Sequence, residues 1–172
     1  MTASFAFWLL VAVLLFWSLG AYNRLVRLRA QVIGSFAGVD QRMVQALALL
    51  GEVSCAPDSD TQGRSGLLAA AVQFEVALRV ARKQILDASA MAALQTAYAT
   101  VHVVWERRRA EAAEPDLTAI AVMQRAWEDN TQVVREAEAS YNAAVQEYNG
   151  AIRQFPASIL SYFFNFAPAA TL

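Results

Sequence analysis

The chain has 172 residues, enough for one domain, and 57% of them are hydrophobic with a positive mean hydropathy, so a membrane segment is the first expectation. The net charge of −1 gives no general attraction to nucleic acid, and a single cysteine, Cys55, excludes an internal disulfide. Of the 14 basic residues only Lys83 is a lysine, and the arginines are clustered.

The first stretch, "MTASFAFWLLVAVLLFWSLGAYN", carries no charge from Met1 to Asn23. Its apolar part extends from Ala3 through Tyr22, about 20 residues, which is enough for a helix to cross a bilayer. Trp8, Trp17 and Tyr22 suit interfacial positions. A cleaved signal peptide needs a basic leader and a small-x-small site, and neither is clear here. A buried soluble helix is the other alternative. Residues 1–22 are therefore read as a transmembrane anchor and residues 23–172 as a helical domain. Arg24, Arg27 and Arg29 follow the span directly, which predicts a short outer N-terminus and a cytoplasmic body.

After the anchor the apolar residues step by three and four. Val32, Phe36, Val39, Met43, Ala46, Leu50 and Val53 mark a first helix. A loop at about 55–66, "CAPDSDTQGRSG", follows. Leu67, Ala71, Phe74, Leu78, Ala81, Ile85 and Ala88 mark a second helix, which shifts phase to Met91, Leu94, Tyr98, Val101 and Trp105. A turn at about 110–115 ends at Pro115, flanked by Glu114 and Asp116, as at a helix start. The third helix runs through Ile120, Trp127, Val134, Tyr141, Val145, Tyr148, Ile152 and Phe155, and Pro156 ends it. The reading is all-α: the anchor continues into an elongated antiparallel bundle of three long helices, each of roughly 35 to 45 residues, with a short C-terminal helix in the tail 156–172.

Tyr-Asn occurs at Tyr22-Asn23, Tyr141-Asn142 and Tyr148-Asn149. The heptad places the last two tyrosines on the third helix's seam and the asparagines at its edge. This reads as packing, with the hydroxyls and amides finding partners.

The ordered set Tyr141, Asn142, Val145, Tyr148, Asn149, Ile152, Phe155 and Pro156, together with "YNRLV" after the anchor, resembles the two ends of LemA family proteins. Departures mark a divergent member. Gly51-Glu52 stands where the family has Pro-Asn, and the tail "FNFAPAATL" lacks the usual basic residue and final aromatic. The resemblance implies a single-pass membrane protein with an antiparallel helical body, and it implies no reaction.

No phosphate loop, nucleotide fingerprint or nucleophile elbow is present. His102 is the only histidine and has no ligand at metal spacing; Glu128-Asp129 and Glu136/Glu138 read as solvated faces. Gly34-x-x-x-Gly38 is a weak signal for close helix approach. No enzyme, cofactor, metal, small-molecule substrate or nucleic-acid partner is expected. With three helices, Arg107, Arg108 and Arg109 come back to the membrane beside Arg24, Arg27 and Arg29. The tail then folds back at Pro156 as a helix of about residues 157–164. It covers the far end of the bundle near the Cys55–Gly66 loop, with an association surface or membrane contact as the other readings. The functional expectation is a non-enzymatic membrane-anchored scaffold or adaptor that binds a partner protein or copies of itself. The alternative is a self-assembling membrane-organising or membrane-shaping protein.

Overall fold

A computed structural model of the chain describes residues 2–55, 61–111 and 117–172, with side chains described at 7–9, 11–52, 63–110 and 121–172. These residues form five helices: α1 (Thr2–Cys55), α2 (Thr61–Lys83), α3 (Ala88–Glu111), α4 (Leu117–Arg153) and α5 (Ala157–Phe163). The loop expected at 55–66 is corrected at its end, because α2 already begins at Thr61, and residues 56–60 lie outside the described residues. The turn signals at Glu114, Pro115 and Asp116 lie outside the described residues.

The heptad seams are the core. Val32, Phe36, Val39, Met43, Ala46 and Leu50 of α1 are buried against Trp127, Val134, Tyr141, Val145 and Tyr148 of α4 and the seams of α2 and α3. Side-chain burial of this kind is what holds long helices together in water.

The second helix is where the expectation fails. It is not one helix but a hairpin. Gln84 N–H still bonds the carbonyls of Val80 and Ala81, both at 3.1 Å, and then the chain turns, with Asp87 N–H on Gln84 carbonyl at 2.9 Å. Asp87 restarts the helix. Its Oδ1 accepts the Ala90 N–H at 2.9 Å, and its carbonyl takes Met91 N–H at 3.1 Å, the bonding of an N-cap. Arg82 and Lys83 close the last turn of α2, where the helix dipole favours cations. The phase shift between Ala88 and Met91 is the trace of this turn.

The extra turn makes the bundle up-down-up-down. α1 packs on α4 and α2, and α2 packs on α3. Antiparallel pairing shows in the contacts that cross it. Trp17 meets Phe155 (5.2 Å between ring centroids) and Phe36 meets Tyr141 (5.8 Å). Arg82 Nε donates to Asp40 Oδ1 at 2.6 Å. Phe74 of α2 stacks near Tyr98 of α3 at 5.3 Å, and Trp105 meets Trp127 of α4 at 5.7 Å. α4 therefore ends beside the apolar part of α1, not at the far end of the bundle.

Beyond the bundle α1 continues alone. Phe7, Trp8, Val13, Leu15, Phe16 and Leu19 are exposed, and among the described side chains Leu25 is the first that is fully buried. Among the described residues α1 is the one helix long and apolar enough to cross a membrane.

Candidate functional site

The Tyr-Asn pairs of α4 hold the C-terminal ribbon. Tyr141 and Tyr148 are fully buried, and Asn142 and Asn149 are half-buried at the edge of the seam. The Tyr148 hydroxyl donates to the Ala167 carbonyl at 3.1 Å. Asn149 closes a two-sided pair with Ala169: its Nδ2–H donates to the carbonyl at 2.8 Å, and its Oδ1 accepts the N–H at 2.9 Å. One heptad earlier the pattern repeats. Tyr141 donates to the Ala170 carbonyl at 3.0 Å, and Asn142 pairs with Leu172 at 2.6 and 2.8 Å. Each Tyr-Asn pair thus takes three residues of ribbon: the carbonyl of the first, and both backbone groups of the third. A carboxamide both donates and accepts, which is why asparagine fits the second place.

Two lengths set the register. Seven residues of α-helix rise about 10.5 Å. Three residues of extended or polyproline-type chain cover about 9 to 10 Å. Local chemistry keeps the ribbon extended, because Pro168 fixes its own φ and restricts Ala167 before it. The ribbon starts from a tight stop to α5. Asn165 takes a left-handed φ of 53°, and Phe166 N–H reaches back to Ser161 carbonyl at 2.9 Å, the long bond of a Schellman-type end.

The ribbon fills a gap left by the hairpin. α4 has 37 residues and α3 has 24, so α4 overshoots the α2–α3 turn by about 20 Å if the far ends are level. Six extended residues, Ala167 to Leu172, span about 20 Å. Tyr141 marks the meeting point, since its hydroxyl also faces the Ile85 carbonyl of the turn at 3.1 Å. Burial raises the Tyr141 hydroxyl to about 12 and pushes Tyr148 upward as well.

The other motif residues surround this clamp. Val145 is buried; Ile152 and Pro156 are half-buried. Tyr22 packs against the rings of Phe164 (5.0 Å) and Phe166 (5.9 Å), and Asn23 is exposed. Phe155 corrects the seam expectation. α4 ends at Arg153, so the heptad no longer governs residue 155, which is 65% exposed and lies on Trp17.

The two arginine clusters are not brought together. Arg24 donates to Gln154 Oε1 at 3.2 Å, Arg27 is exposed, and Arg29 lies over the Phe166 ring at 5.9 Å, all at the end of the bundle where the apolar part of α1 leaves it. Arg107, Arg108 and Arg109 lie near the end of α3, which runs away from that end of the bundle; Arg108 is buried there and Arg109 pairs with Glu106 at 2.6 Å. For the same reason the tail packs at the Tyr22 end of the bundle and not at the Cys55–Gly66 end expected for it. Its short helix, Ala157–Phe163, falls close to the expected span.

His102 lies between the rings of Tyr98 (4.7 Å) and Trp127 (5.0 Å), and burial lowers its pKa. Gly34 and Gly38 have no neighbour within 4 Å of where a Cβ would stand, so close approach does not require them. What the sequence reading missed is the partner of the Tyr-Asn pairs. Edge asparagines one heptad apart, followed by a proline-stiffened tail, were the available signal.

The LemA family model matches residues 71–172, which hold both Tyr-Asn pairs, the α5 helix and the ribbon they bind. The chain belongs to the LemA family. Tyr22 and Asn23 precede the matched range of this LemA chain. No curated protein and no solved structure was found to match it.

Proposed function

We propose that this LemA protein is a single-pass, membrane-anchored scaffold without catalytic chemistry, with its bundle in the cytoplasm and a helical face offered to a partner protein or to further copies. The observation that carries the reading is α1. One unbroken helix is apolar and largely exposed over the described side chains from Phe7 to Leu19, then becomes the buried spine of the bundle from Leu25 to Leu50. Whatever holds its first part orients the whole body. Arg24, Arg27 and Arg29, just past the apolar part, support a cytoplasmic body.

α2 supplies a docking face of suitable form. Leu68, Val72, Val76 and Val80 are 41–53% exposed and step by four residues, which makes a continuous apolar ridge. Such i, i+4 ridges are the ones that interlock when helices pack. Long bundles of narrow helices have much lateral surface of this kind.

The test uses full-length protein in native membranes. Carbonate-resistant membrane association is expected, and release into the soluble fraction would remove the anchor from the reading. Val72→Glu combined with Val76→Glu should abolish co-purifying protein or the detergent-solubilised oligomer without lowering Tm. A defined large homo-oligomer lost in that variant would favour membrane organisation by self-assembly; a monomer with a bound second protein favours an adaptor.

A further inference from the structure

The anchor end carries a second apolar feature that the bundle does not use. α5 buries Ala157 into the core, but its outer side is bare. Ile159, Tyr162 and Phe163, at helical spacing on one face, are exposed, Tyr162 by 85% and Phe163 by 76%. Phe155 and Phe164, which flank α5 in the chain, are exposed as well. No charged residue occurs from Gln154 to Leu172. Exposed aromatic patches of this density are uncommon on a water-facing surface.

The position of the patch names its occupant. Phe155 touches Trp17, and Phe164 and Phe166 touch Tyr22. If α1 crosses the bilayer over about 20 residues, Trp17 and Tyr22 stand at one headgroup boundary, and their ring partners stand at the same depth. A cleft of about 340 Å³ opens there between α1 and the α4–α5 turn, lined by Phe16, Trp17, Leu25, Phe155 and Arg24. Apolar walls with a guanidinium suit an acyl chain beneath a phosphate. Arg27, Arg29 and Arg153 belong to the same end, where anionic headgroups would lie.

We infer that α5, with Phe155 and Phe164, is an interfacial foot that inserts its aromatic face into the headgroup and upper acyl region of the leaflet that α1 leaves. The chain then grips the bilayer at two points, and the Tyr-Asn clamp fixes the angle between them. The ribbon ties the foot to α4 through both Tyr-Asn pairs, so the bundle stands in one orientation on the membrane and does not swivel about a single helix. This inference rests on the membrane-anchored reading.

Depth-dependent quenching separates the two. Full-length protein with Cys55→Ser is reconstituted in phosphatidylcholine–phosphatidylglycerol vesicles. A fluorophore is attached after Tyr162→Cys, Phe16→Cys or Val122→Cys, one at a time. All three side chains are exposed, so the fold tolerates the change. Lipids carrying a shallow nitroxide on the acyl chain should quench the labels at 162 and 16 and leave the label at 122 at full intensity. Quenching at 16 but not at 162 overturns the foot and leaves the anchor standing. No quenching at either site overturns both. Disulfide dimers of the unlabelled Tyr162→Cys protein, with no lipid quenching of the labelled one, place a second copy on the face and overturn the inference as well.

Discussion

Asn149 shows how much one side chain can decide. Its amide satisfies the N–H and the carbonyl of Ala169 together, a pairing that otherwise takes a neighbouring strand. Asn149→Asp keeps the shape but removes the donor and sets a carboxylate against a carbonyl. The expected cost is about 1–3 kcal/mol, that of stranding a half-buried acceptor. Rapid exchange of backbone amides in 166–172 with unchanged helix content is the expected signature; uniform loss across α4 would make Asn149 a packing residue only. Tyr141 adds a pH dependence. Its folded value of about 12 lies above the ordinary 10, so its contribution is complete below pH 10 and is lost as pH rises through about 12. The sign follows from chemistry, because a tyrosinate has no proton to give Ile85 or Ala170. Tyr141→Phe should cost on the order of 1 kcal/mol at neutral pH. Denaturant titrations should show a smaller alkaline loss of stability in the variant than in the parent.

Among the elements, the four residues Gln84–Asp87 matter most. They turn one expected helix into α2 and α3, and Asp87 is the N-cap that makes α3 start. Asp87→Ala should lower the stability, because the Ala90 N–H loses the side-chain acceptor that caps α3. The bond from Ser89 and then that from Ala90 hold the Asp87 carboxyl below its usual range. A depressed pKa means that the cap's contribution is present above the unfolded value and fades as pH falls through the folded one. The difference in Tm between parent and variant should therefore shrink on acidification below pH 4; a constant difference would assign the effect to side-chain packing. α5 is an element of another kind, seven residues long and stable only because the ribbon and Ala157 tie it to α1 and α4.

At the scale of the molecule, the number of turns sets where everything ends. With four bundle helices, α3 climbs away from the Tyr22 end of the bundle for 24 residues, about 36 Å. Spin labels placed by Arg24→Cys and Arg109→Cys, in a Cys55→Ser background, should lie more than about 30 Å apart. A separation of about half that would restore a three-helix path with both arginine clusters at the membrane. The same parity puts α4, α5 and the ribbon beside Tyr22, where a three-helix path would have sent them to the far end.

Much of this was written locally. The uncharged run to Asn23, the heptads of α1 and α4, and the buried Tyr141 and Tyr148 follow from composition and a period of three and four, which any helix must obey to bury a face. The short helix after Pro156 was expected from a three-helix path; its span came out close to Ala157–Phe163, while its place on the bundle did not come out as that path expects. The hairpin was not legible, because Leu67–Ala81 and Met91–Trp105 present the same seam whether they pack on each other or end to end. A phase slip with one aspartate cap was the only mark. Nor could the Tyr-Asn pairs disclose their ligand. A carboxamide states that it needs a donor and an acceptor, but which backbone supplies them depends on what the turn at Gln84–Asp87 brings alongside. One reversal of direction, decided by tertiary packing, relocated Arg107–Arg109, the aromatic tail and the surface it covers.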